Sequence, residues 1–155
     1  MEQGIEDRYL RGLLSRLREV YQLPDQDIRS YSPLTLAYIG DAVYELVIRT
    51  YVTGKGNAPV EKLHHEASTL VKAQTQSEMS YVIREELEEE ELAVYKRGRN
   101  AHSYTRAKNA SVSDYRRATG FEALMGYLYL TGQYERMLQL IRRGMEKYGI
   151  YRTDD

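Results

Sequence analysis

Two carboxylates stand where carboxylates are costly. Asp41 lies inside LAYIGDAVYELVIRTYV (36–52), a stretch made almost wholly of apolar and aromatic residues, and Glu122 lies inside the equally apolar GFEALMGYLYL (120–130). Each has a glycine close by: Gly40 directly before Asp41, Gly126 one turn after Glu122. A residue without Cβ lets another backbone or a ligand approach closely. A carboxylate stripped of water must be paired, protonated or bound to metal. Pairing with an Arg or Lys is the ordinary outcome for one such acid. Two of them, on the two most apolar segments, make a shared divalent cation the sharper reading. Mg²⁺ suits two carboxylates because it keeps several of its waters, and such waters serve phosphodiester hydrolysis. Glu45, one turn beyond Asp41, is a candidate to support that ion from behind, with a partly exposed helix residue as the equal alternative.

The elements that must carry these acids read as helices. Ser32-Pro33 supplies a side-chain cap and a proline at the first helical position, opening a helix that runs to about Thr53. At 100° per residue Leu36, Ile39, Val43, Leu46 and Val47 form one apolar face, Ala37, Tyr44 and Ile48 a second stripe, and Asp41 and Glu45 share the remaining side. In 120–130 the core face is Phe121, Leu124, Met125 and Leu128, with Glu122 off it. Apolar spacing predicts further helices around Tyr9–Tyr21, from Pro59 to Val71, over 76–87, over 89–95 and over 133–148, where Gly149 is a natural C-cap. No stretch sustains strand alternation, so the expectation is a single all-α domain over 1–155, with a helical extension over about 1–30.

Between the two acids the chain separates its charge. REELEEEEL (84–92) holds six Glu, whereas Lys96, Arg97, Arg99, Arg106, Lys108, Arg116 and Arg117 are opposed only by Asp114 over 96–117. Residues 97–114 read as a long irregular segment. Asn100, His102, Asn109 and several hydroxyls interleave with the cations, donors of the kind that hold phosphate and ribose. A solvated counterweight to the Glu run is the plain alternative. His64-His65-Glu66 lacks the H-E-x-x-H spacing of a zinc site and is expected at a surface or groove.

The net charge of −1 over 155 residues requires any nucleic-acid contact to come from a local patch. The absence of cysteine excludes disulfides and thiolate metal sites. The apolar runs fall short of the ~18 residues of a membrane span, and no signal-peptide core opens the chain, so a soluble cytoplasmic protein without membrane contact is expected.

LAYIGDAVYELV resembles the signature helix of the ribonuclease III endonuclease domain, and FEALMGYLYL resembles its second acidic motif, with similar sequence between them over about residues 30–150. The chain leaves no length for the family's double-stranded-RNA-binding domain, and RGRNA and ATGFEALMGYLYL resemble the stand-alone Mini-ribonuclease III branch. The resemblance implies an all-α homodimer that cleaves double-stranded RNA with Mg²⁺, leaving 5′-phosphates and short 3′ overhangs. It makes Asp41 and Glu122 the catalytic metal ligands, and it implies maturation of large-subunit (23S) ribosomal RNA precursor. Lys96, Arg97, Arg99, Asn100, His102, Arg106, Lys108 and Asn109 become the candidate RNA-binding residues. Three positions depart from the family's acids: Leu34, Ala37 and Thr119 stand where related enzymes carry Glu, Glu and Asp. These departures leave a second expectation open, a ribonuclease III-like dimer that binds structured RNA in ribosome assembly without cutting it.

Overall fold

The computed structural model describes residues 12–101 and 111–149, and these form helices with no strand among them. In chain order they are α1 (Gly12–Val20), a 3-10 turn (Ile28–Ser30), α2 (Pro33–Gly54), α3 (Val60–Val71), α4 (Ala73–Ile83), a second 3-10 turn (Arg84–Glu86), α5 (Glu89–Asn100), α6 (Val112–Leu130) and α7 (Tyr134–Tyr148). The all-α expectation holds. Among the described residues no helix is long and apolar enough to cross a membrane.

Local chemistry sets the helix ends. Ser32 accepts from the Thr35 amide and Pro33 opens the first turn of α2. Ser111 accepts from the Asp114 amide at 3.0 Å and so starts α6 eight residues earlier than Gly120. Gly149, with φ +86°, closes α7 in the left-handed conformation.

α6 is the central helix, packed by α2, α4 and α5. Its predicted face, Phe121, Leu124, Met125 and Leu128, is fully buried. Tyr44 from α2 meets Phe121 edge to face, with ring centroids 5.1 Å apart, and donates its hydroxyl to the Leu70 carbonyl at 2.8 Å. That bond answers the need of a buried phenol for a partner. On α2 both stripes feed the core: Leu36 and Val43 of the first and Ala37, Tyr44 and Ile48 of the second are buried, together with Gly40 and Val52. Leu46, on the first apolar face, is 57% exposed, because α6 lies against the Gly40 side of α2 and leaves the Leu46 side uncovered.

One further expectation changes. α5 continues through RGRN to Asn100, so Lys96, Arg97, Arg99 and Asn100 are helical residues, not part of an irregular segment. Gly98 is tolerated inside α5 because the helix presses there against Gly120, whose Cα lies 2.9 Å from where a Cβ on Gly98 would sit. The Glu run also contributes a buried ion pair. Glu91 is buried and takes Arg136 in a two-bond fork, each bond 2.8 Å, while Arg136 also reaches the Glu86 carbonyl at 2.8 Å. The guanidinium holds the Glu91 carboxyl below the usual range. Its neighbours Glu89 and Glu90 remain exposed at the start of α5, and Arg97 and Arg99 occupy the last turn.

Candidate active site

Gly40 and Gly126 bring the two acids together. A methyl on Gly40 would overlap the carbonyl oxygen of Glu122 and come within 2.7 Å of the Gly126 amide nitrogen. A methyl on Gly126 would overlap the carbonyl of Leu36. The two glycines therefore interlock α2 and α6 backbone against backbone. Asp41 follows Gly40 directly, and Glu122 is the residue on which Gly40 presses. No flexible connector intervenes, so the spacing of the acids is fixed by the helix crossing itself.

The carboxyl groups of Asp41 and Glu122 lie within hydrogen-bonding reach of each other. Glu122 is half-buried, whereas Asp41 is exposed on the open side of α2, which corrects the expectation that Asp41 loses much of its water. Burial, first, and then the hydrogen bond and charge of Asp41 push the Glu122 carboxyl up to about 9. The same Glu122 charge, after burial, helps to raise the Tyr44 phenol beneath it. At neutral pH Glu122 thus holds a proton against Asp41, the arrangement that two carboxylates adopt when nothing else neutralises them.

Carboxyl oxygens alone, from two acids of which one faces solvent, form a set that fits Mg²⁺ and not a soft metal. No cluster of three or more His, Asp or Glu able to hold a metal forms among the described residues. The departures account for this: Ala37 packs against Val94 and Ala123, Thr119 is buried with its hydroxyl on the Tyr115 carbonyl at 3.0 Å, and Leu34 is partly exposed.

Glu45 is held by Arg49, whose Nη2 donates to Glu45 Oε1 at 2.8 Å. Arg49 was not singled out from the sequence, although its i, i+4 spacing from Glu45 carries the signal. Lys96, Arg97 and Asn100 are exposed on α5. Arg99 is half-buried, with its guanidinium 5.9 Å from the centre of the Tyr95 ring and Nε 3.4 Å from Asn100 Oδ1. His102, Arg106, Lys108 and Asn109 lie outside the described residues.

The raised Glu122 carboxyl has a measurable consequence. Between the ordinary carboxylate value near 4.5 and about 9, the folded state holds a proton that the unfolded chain has released. Stability contributed by that proton is full below the lower value and is lost as pH rises toward the upper one. Glu122→Gln should therefore stabilise the metal-free protein at pH 8 relative to pH 5 by about 1 to 3 kcal/mol compared with the unsubstituted chain, allowing for solvent screening. Thermal melts of both proteins at the two pH values check this, and parallel profiles would refute it.

Residues 34–133 match the Ribonuclease III domain family. The chain is 50% identical over 124 residues to Mini-ribonuclease 3 of Clostridium tetani, covering 79% of this chain and 82% of that protein. It is 43% identical over 136 residues to Mini-ribonuclease 3 of a Thermoanaerobacter species, covering 88% and 96%. A crystal structure of a Fusobacterium nucleatum protein superimposes with a TM-score of 0.72 at 32% identity, covering 79% of this chain and 94% of that one. On these matches, and on two acids locked together at the crossing of α2 and α6, the chain is an endoribonuclease and belongs to the ribonuclease III family, in its Mini-ribonuclease 3 branch.

Proposed function

We propose that the protein is a Mg²⁺-dependent, homodimeric endoribonuclease that cuts double-stranded RNA and matures the large-subunit (23S) ribosomal RNA precursor in the cytoplasm. The observation that carries this reading is the Asp41–Glu122 pair, two carboxyl groups within hydrogen-bonding reach at the open edge of two interlocked helices. These two side chains would hold Mg²⁺. When bound, the cation offsets phosphate charge and lowers the pKa of a coordinated water. The chain's own tasks are positional. Gly40 and Gly126 fix the separation of the acids, and Tyr44, anchored on Leu70, closes the floor behind Glu122. To serve as a ligand beside Asp41, Glu122 would have to give up the proton it holds in the metal-free protein. Lys96, Arg97, Arg99 and Asn100, with the cations of the α5–α6 connection, would take the RNA backbone. A-form duplexes are recognised by shape and 2′-hydroxyls, so local cations suffice despite a net charge of −1. The test is incubation with a long RNA duplex and with large-subunit rRNA precursor, with and without Mg²⁺. Products ending in 5′-phosphate are expected only with the metal. An intact duplex that is nonetheless bound would favour the non-cutting alternative.

The dimer reading rests on exposed apolar surface. Tyr38 is 82% exposed and Leu46 57% exposed on the open side of α2. A groove of about 610 Å³ beside them is lined by Leu13, Leu46, Tyr134 and Leu138. Apolar surface of this kind marks an interface, and a two-fold pairing of identical patches is its commonest use. The double substitution of Tyr38→Asp with Leu46→Asp should yield a monomer in sedimentation equilibrium at micromolar concentration, where the unsubstituted chain is a dimer. A monomeric unsubstituted chain would refute it.

A further inference from the structure

Asp41, Glu45 and Arg49 form one line along the open side of α2, each one turn from the next and about 12 Å from first to last. Toward the start of α2 the same side is apolar, with Tyr38 and Leu34. Toward its end the side is charged, and α3 joins it there: Arg49 and His64 line one cavity of about 370 Å³, walled by Val52, Val60 and Leu63. A strand whose scissile phosphate lies at Asp41 has one polar way out along α2, past Glu45 to Arg49. Glu45 by itself would repel that strand. Its ion pair with Arg49 removes the repulsion, and because the pair engages the guanidinium through Nη2, it turns a five-donor fork into an oriented one. An exposed i, i+4 pair contributes only a few tenths of a kcal/mol to stability, so stability does not explain the arrangement.

We propose that Arg49, oriented by Glu45 and flanked by His64, grips the phosphodiester backbone of the duplex on the α2–α3 side of the catalytic pair. Glu45 is then a positioning residue that acts through Arg49, not a support for the metal. The inference rests on the double-stranded-RNA reading above.

The test measures binding of a short labelled RNA duplex across a series of KCl concentrations, with cleavage kinetics alongside. Arg49→Ala should weaken binding about tenfold and make the slope of log K against log salt shallower by about 0.7 to 0.9. KM should rise, with kcat within about threefold. Arg49→Lys should keep the slope, because the charge remains. Glu45→Gln should raise KM less than Arg49→Ala does and leave the Mg²⁺ concentration for half-maximal rate unchanged. An Arg49→Ala protein with unchanged slope and affinity overturns the proposal. So does a Glu45→Gln protein whose Mg²⁺ requirement rises while RNA affinity holds, since Glu45 would then serve the metal. Failure of the parent reading looks different: the unsubstituted chain itself neither binds nor cuts the duplex.

Discussion

Asp41→Asn and Glu122→Gln will each lower the Mg²⁺-dependent cleavage rate on the order of a thousandfold or more, equivalent to about 4 kcal/mol of transition-state stabilisation. Each change keeps the side chain's shape and removes its ability to ligate as a carboxylate. Asp41 is exposed, so its substitution leaves the fold untouched. Glu122 is half-buried and protonated at neutral pH, so a neutral amide replaces a neutral acid. RNA affinity should change less than about threefold, because the proposed backbone contacts lie elsewhere. The double variant should be little slower than either single one, since two groups that act as a unit do not add. Single-turnover rates and duplex binding measured on the same preparations decide the matter. A near-normal rate in either single variant would remove the pair from the chemistry.

The second large effect falls on the fold. Gly40→Ala or Gly126→Ala places a methyl on a backbone carbonyl of the facing helix, of Glu122 in one case and Leu36 in the other. Backbone cannot rotate aside as a side chain can, so α2 and α6 must separate along a crossing that buries Tyr44, Phe121 and Leu124. Such overpacking at a backbone contact belongs to the exceptional class above about 4 kcal/mol, a large share of the stability of a domain this size. Urea unfolding followed by circular dichroism should find each variant unfolded or displaced to a much lower midpoint. Gly12→Ala, which meets nothing within 4 Å, is the control. A Gly40→Ala protein with an ordinary midpoint would show that the helices do not cross this closely.

The glycines were legible in the sequence as places of close approach, because that signal is local. The Phe121 face of α6 was legible for the same reason: its neighbours on every side are other helices, so spacing alone selects what is buried. The exposure of Leu46 was not legible, because a helix with two apolar stripes does not declare which side the domain leaves uncovered, and the Gly40 contact decided it. Asp41 was taken as desolvated because its sequence neighbours are apolar, although a helix places them on other sides. RGRN was taken for a loop from its composition, but Gly98 is there to meet Gly120. The burial of Glu91 was not legible, because its partner Arg136 lies forty-five residues away.

α5 carries Glu89, Glu90 and Glu91 in its first turn and Arg97 and Arg99 in its last. The helix is about 18 Å long, and the Debye length at physiological salt is about 8 Å. A polyanion drifting past therefore feels the two ends separately, a repulsive one and an attractive one. Under the proposed function the rod would act as a compass needle for RNA, turning an incoming duplex toward its cationic end before contact. Association should then be fast at low salt and slow steeply as salt rises, even where the final complex is held mainly by other residues.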